Sequence, residues 1–278
     1  MDATAEPPFT LIPGAADASV LLHVPHSART VPRAVRGGIV LSDAELERES
    51  DHVVDAHTDT IAALAAARAR RTPWQFVNRL SRLVVDPERF PDAREEMRKV
   101  GMGAVYTRTT GRLPLRAPDF DEQPLLDAYF RPYARAMTEA VRARLAAAGQ
   151  VVILDVHSYP THRLPYELHG DGPRPPVCLG TDPFHTPPGL LARAESAFAR
   201  CGGTARDTPF SGTYVPLEYY GVEPRVSALM VEIRRDLYMD EPGGPAAEAG
   251  LRGVAEALAE LVDSLTESPA DSLAEGAS

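Results

Sequence analysis

The chain has 278 residues, 44% of them apolar and 24% charged, and a formal net charge of −10. No Gly/Ser linker or long charge block divides it, so one large globular domain is expected. The negative balance speaks against a nucleic-acid surface, which needs clustered cations, and apolar runs such as 61–67 are too short to cross a bilayer.

Residues 1–18 are rich in Pro, Ala and Gly and read as a loose lead-in. With Glu6 and no basic or continuously apolar opening they do not resemble a signal peptide, so a cytoplasmic location is expected. Ser19–Val24 is a short apolar run ending at Pro25, which reads as a buried strand with His26 in the loop beyond it. Ser42 with Glu45 forms a capping box that opens a helix from about Asp43 to Ala67. On such a helix Asp51 and Asp55, four apart, share one face, while His52 and His57 lie off it as surface residues.

Trp74–Asn78 and Arg82–Asp86 read as strand segments, and 90–123 as a long loop of the kind that walls a site. Pro124–Ala148 is an amphipathic helix closed by Gly149. Val151–Val156 is an aliphatic run suited to a strand covered on both faces, and it leads directly into His157. Val177–Gly180 is a short strand, Pro187–Arg200 a helix, Val226–Ile233 a buried strand and Pro245–Thr266 a closing helix. The catalytic unit is expected over 19–266, with 267–278 as a disordered tail. Cys178 and Cys201 form no CxxC and could make at most one bridge.

Alternating strands and helices indicate an α/β fold with a mostly parallel or mixed sheet flanked by helices. Ligands gather at the carboxyl ends of such strands, where this chain places His26, His157 and Glu232. Two imidazoles and one carboxylate are a zinc set that leaves a position for water. Either Asp51 or Asp55 could be that carboxylate, and His23 could support a ligand from behind. Glu232, set in an apolar strand, would have a raised pKa and act as general base, or would pair with Arg234 or Arg235. Arg79, Arg82 and Arg89 have the planar fork suited to a substrate carboxylate or an oxyanion. There is no nucleophile elbow, P-loop or dinucleotide fingerprint.

Six segments in order together resemble the N-formylglutamate amidohydrolase family: VPHSAR (24–29), SDHVVDAHTD (50–59), NRLSRLVVDPERF (78–90), LDVHSYP (154–160), PFSGTYVPL (209–217) and VEIRRDLYMD (231–240). That family is in turn similar to zinc carboxypeptidases, and the resemblance implies a carboxypeptidase-like α/β hydrolase with one zinc ion per chain, acting on an N-formyl or N-acyl amide of a small amino-acid-like substrate. It implies His26 and His157 as metal ligands, Glu232 as catalytic base, and Arg89 in catalysis with Arg82, Arg79 and Glu88 at the substrate. Arg29 stands where carboxypeptidases carry their metal Glu, so the third ligand is assigned to Asp51, with Asp55 as alternative. Glu88 replaces the Asn of their Asn-Arg pair, a change that would partly neutralise the carboxylate pocket beside Arg89 or favour an amine on the substrate. A peptide or specialised metabolite is an alternative substrate, and a metal-free binding protein on the same fold is a rival reading.

Overall fold

The computed structural model describes residues 8–169 and 171–266. Seven strands form one mixed sheet in the order β1-β3-β2-β4-β7-β5-β6. They are β1 (Phe9–Ile12), β2 (Val20–Val24), β3 (Trp74–Asn78), β4 (Val151–Tyr159), β5 (Val177–Gly180), β6 (Thr204–Arg206) and β7 (Val226–Arg234). The centre, β3-β2-β4-β7, is parallel, while β1 and β5 run antiparallel to β3 and β7. The helices are α1 (Arg33–Arg36), α2 (Asp43–Val53), α3 (Thr58–Arg68), α4 (Gln123–Leu125), α5 (Arg131–Ala148), α6 (Pro188–Phe198) and α7 (Glu248–Thr266).

Side chains alternate across a strand, so each central strand feeds two cores. Val20, Leu22 and Val24 of β2 and Leu154 and Val156 of β4 pack with α3, α6 and α7. Leu21, Ile153 and Ala228 face the other way, onto Tyr133, Met137 and Val141 of α5. Burying each such Leu, Ile or Val contributes about 1.5–3 kcal/mol. The same alternation puts His23, Asp155, His157 and Glu232 on the α5 side, with the last two at the carboxyl ends of their strands.

Three expectations change. The single helix over 43–67 is two helices, because Val54 turns extended and His57 adopts a left-handed φ of 66°. The β-branched pair Val53-Val54 is a weak helix former, and the Asp55 amide leaves the helix to donate to His26 O at 2.9 Å. Asp51 and Asp55 therefore do not share a face. Arg82–Asp86 is a buried turn and not a strand: Leu83 and Val84 are fully buried, but the Asp86 amide donates to Ala104 O outside any ladder. The expected lead-in contains β1, whose residues pair with β3 from Phe9↔Asn78 to Ile12↔Gln75. The tail 267–278 lies outside the described residues.

Candidate active site

β2 stops at Pro25, and the Asn78 side chain donates to Pro25 O at 2.8 Å, fixing the turn that carries His26. β4 carries His157 within its last residues, and the parallel register sets it beside Glu232 of β7. The break between α2 and α3 delivers Asp55 to the same place. His26 Nδ1 lies 3.2 Å from His157 Nδ1, and Asp55 Oδ2 lies 3.1 Å from His157 Nδ1 and 3.5 Å from His26 Nδ1. A tetrahedral ion with bonds of ~2.0–2.1 Å holds neighbouring ligand atoms about 3.3–3.4 Å apart. The triangle fits such an ion. Two ring nitrogens facing each other at this distance also need a proton or a cation between them, since their lone pairs repel.

The far sides of these groups are committed elsewhere. His26 Nε2 hydrogen-bonds Asp86 Oδ1 at 2.9 Å, and Arg235 Nη2 donates to Asp55 Oδ1 at 3.3 Å. His157 Nε2 sits 3.1 Å from Asp155 Oδ1 and 3.2 Å from Glu88 Oε2, in an alignment that leaves it without a proper hydrogen bond. Carboxylates behind the imidazoles orient the rings and leave the two Nδ1 atoms facing each other, where an ion could sit. A second grouping, His26 and His157 with Glu88, is also compact enough for an ion. Glu88 Oε2 approaches the Nε2 atoms, at 3.8 Å from His26 and 3.2 Å from His157, and His26 Nε2 already serves Asp86, so the Nδ1 set with Asp55 is the better centre.

The electrostatics agree. Burial depresses the basicity of both imidazoles, yet Asp86 and Asp55 around His26, and Asp155 and Glu88 around His157, raise their pKa values overall. Burial alone would raise the Asp55 pKa, but the two histidines hold it far below the usual carboxylate range. Glu232 behaves in the opposite way. Burial, reinforced by Asp55 and against the pull of His157, pushes it up to about 7, and its Oε2 has no hydrogen-bond partner.

A cavity of ≈ 530 Å³ opens over these groups, lined by His26, Asp55, Arg82, His157, Glu232 and Arg235 among others. Arg82 donates to Asp86 Oδ2 at 2.7 Å and to Tyr106 OH at 2.8 Å. Arg89 also lines the cavity, its Nε 3.5 Å from Asp86 Oδ2 and unbonded. The remaining expectations divide. Glu88 stands at the cavity wall. Arg79 does not reach it, being held by Thr10 Oγ1 at 3.0 Å against β1. Asp51 turns to Arg29 at the surface and stands outside the cavity lining, because the helix carrying it ends at Val53 before Asp55 bends inward. His52, expected at the surface, lines the cavity.

Asp155 and Arg235 were not read from sequence as part of the site. Asp155 had a usable signal, a carboxylate inside an aliphatic strand, which must find partners when buried. It finds His157 and also His23, at 2.9 Å, whose Nε2 lies 2.6 Å from Tyr133 OH on α5.

With this geometry in hand, comparison with known proteins is direct. The family model described as N-formylglutamate amidohydrolase matches residues 18–239. The chain belongs to the N-formylglutamate amidohydrolase family. A crystal structure of N-formylglutamate amidohydrolase from Ralstonia eutropha JMP134 aligns with a TM-score of 0.78 and 25% identity, over 97% of this chain and 99% of that one. A gene product of Agrobacterium tumefaciens aligns with a TM-score of 0.70 and 22% identity, over 97% of each chain. No curated protein matches the sequence. Membership makes this an amide-bond hydrolase, and among the described residues no helix is long and apolar enough to cross a membrane.

Proposed function

We propose that this chain is a zinc-dependent amidohydrolase that cleaves an N-formyl or N-acyl amide of a small amino-acid-like molecule. The observation that carries the reading is the triangle of His26 Nδ1, His157 Nδ1 and Asp55 Oδ2, buried beside a carboxyl group poised near neutrality. His26, Asp55 and His157 would hold the ion, with Asp86, Asp155 and Arg235 fixing them from behind. Bound there, zinc supplies Lewis-acid polarisation of the scissile carbonyl and acidifies water.

The chain's own groups do the rest. Glu232 takes the proton from the attacking water and delivers it to the departing nitrogen, a shuttle best served by a pKa near the operating pH. Arg82 is fixed by Asp86 and Tyr106 and keeps donors facing the cavity, where they steady the carbonyl oxygen as it gains charge. Arg89, with an unbonded Nε, orients the substrate.

The test is Glu232→Gln assayed on a panel of N-formyl and N-acyl amino acids, with zinc measured in the same preparations. Loss of turnover on the order of 100- to 10,000-fold with about one zinc per chain retained is expected. Normal hydrolysis by this variant, or wild-type protein that takes up no zinc, would refute the reading.

A further inference from the structure

His23 stands in β2 between Leu22 and Val24, fully buried, and no step of the hydrolysis uses it. A polar ring set among aliphatic side chains gives up its hydration and must find partners. The sheet register supplies one: in the parallel pairing of β2 with β4, His23 lies opposite Asp155. Asp155 and His157, two residues apart on β4, share one face of the sheet. The second partner comes from α5, where Tyr133 is buried. Tyr133 OH lies 2.6 Å from His23 Nε2, His23 Nδ1 lies 2.9 Å from Asp155 Oδ1, and the same oxygen is 3.1 Å from His157 Nε2. An unbroken line of polar atoms thus runs from α5 to a proposed metal ligand.

The direction of that line follows from its donors. Asp155, as a carboxylate, only accepts, so the proton between it and His23 belongs to Nδ1. Neutral His23 then presents a lone pair at Nε2, and Tyr133 is the donor there. Burial raises the Tyr133 pKa well above its usual value, so the hydroxyl keeps its proton. Asp155 also has somewhere else to turn. It borders a second cavity, of ≈ 480 Å³, which adjoins the first along Glu88, Arg89, Ser211 and Met230 and is walled in part by the 211–217 loop. Its other oxygen is 3.4 Å from the Tyr214 amide, a long bond, and its contact with His157 Nε2 is not aligned as a hydrogen bond. Glu88 Oε1, 3.4 Å from His23 Nδ1, approaches the same donor and is left without a partner. The short bond from His23 is what keeps the Asp155 carboxylate against His157.

We infer that His23 and Tyr133 are positioning residues for the metal centre: the Tyr133 hydroxyl fixes the His23 tautomer, His23 fixes Asp155, and Asp155 orients the His157 ring so that Nδ1 faces His26 and Asp55. The inference rests on zinc binding at the triangle of His26, Asp55 and His157, and it extends the support of that site by two residues to α5. Hydrogen bonds linked in series polarise one another in a buried setting, so a change at the outer end reaches the inner one.

The experiment measures zinc affinity of the full chain, by competition with a chromophoric chelator, in wild type, Tyr133→Phe, His23→Leu and His23→Asn. Urea titrations of the metal-free proteins and visible spectra of the cobalt(II)-loaded ones accompany it. Removing an outer partner of a metal ligand typically weakens binding about 10–100-fold, so His23→Leu should lose about tenfold and Tyr133→Phe, one step further out, about threefold. His23→Asn keeps an amide N–H near the position of Nδ1 and should recover most of the affinity and the wild-type cobalt spectrum, although leucine fills the apolar site better. Zinc affinity should therefore rank Asn above Leu while stability ranks Leu at least equal to Asn, an order that a packing role would not produce. Wild-type affinity in Tyr133→Phe, or His23→Asn no better than His23→Leu, would overturn the inference. Should a His23 variant fail to fold, the affinity and cobalt spectrum of Tyr133→Phe decide alone. Wild-type protein that takes up no zinc would refute the metal reading and this inference with it, whereas unchanged affinity in variants of a zinc-binding wild type refutes this one only.

Discussion

Asp55→Asn puts the proposed metal centre under the most direct strain. The substitution keeps the side-chain shape but replaces an anionic oxygen, set 3.1 and 3.5 Å from the two ring nitrogens, with a neutral amide. Outer residues that only orient a ligand typically cost about 10–100-fold in metal affinity, and loss of the ligand charge itself should exceed that. The zinc-free protein should suffer less, because Arg235 retains His52 O at 3.0 Å and Ser158 Oγ at 3.1 Å. Its destabilisation should therefore fall below the ~3–5 kcal/mol typical of breaking a buried ion pair. Asp51→Asn is the matched control. Its pair with Arg29 is 27% and 41% exposed, worth about 0–1 kcal/mol, and touches no ligand. Zinc affinity is read by competition with a chromophoric chelator and stability by urea titration with and without the metal. In wild type, zinc at about 100 times its Kd should add ~2.7 kcal/mol, and Asp55→Asn should lose most of that gain. Wild-type zinc affinity in Asp55→Asn, or weakened binding in Asp51→Asn, would refute the reasoning.

Three further outcomes are expected. Asp86→Asn should destabilise the protein by ~3 kcal/mol in denaturant titrations, because it strips the buried anion from Arg82 and His26 together. The Asp86 carboxyl is held well below its usual range by Arg82 and His26 against the opposing effect of burial. Its stabilisation is therefore complete above the unfolded carboxylate pKa of about 3.9 and disappears as pH falls through the lower folded value; the variant should show a flatter acid limb of stability against pH. Activity should fall on acidification as Glu232 takes up a proton, with the limb of kcat/KM between the ordinary carboxylate range and about 7, displaced downward by a nearby dication; an unchanged limb in a slow Glu232→Gln enzyme would remove Glu232 as its source. Gly180→Ala should impair turnover beyond its effect on stability, since a Cβ there would lie 2.3 Å from Gly212 O, in the loop that walls the second cavity; kinetics alongside the melting temperature separate the two.

Much of the fold was legible because the parallel strands are aliphatic on both faces and few other structures explain VVILDV or VSALMVEI. His26, His157 and Glu232 followed, since strand ends in such sheets converge. Asp55 was harder. Helical periodicity continues across 43–67, and beyond the weak helix formers Val53 and Val54 it is a tertiary hydrogen bond, the Asp55 amide to His26 O, that explains why the helix stops at Val53. Local propensity carries no information about that partner. Arg82–Asp86 misled in a related way: its Leu-Val-Val run is buried as a strand would be, but in a turn whose purpose is to aim Asp86 at His26 and Arg82 into the cavity. Arg79, three residues away, is held against β1 by Thr10 and stands outside the cavity lining.

The arrangement of charge also ties stability to function. His26 and His157 are touched by Asp55, Asp86, Glu88 and Asp155, whereas Arg82, Arg89 and Arg235 are the guanidiniums that meet this group. Carboxylates gathered so closely repel one another and give up hydration, and their charge raises the pKa of both imidazoles, which favours protons on the rings in metal-free protein. A dication held at the Nδ1 triangle would supply a stronger and fixed positive charge in place of such protons. Zinc uptake should accordingly release protons, stabilise the fold most where the imidazoles are already neutral, and weaken as pH falls.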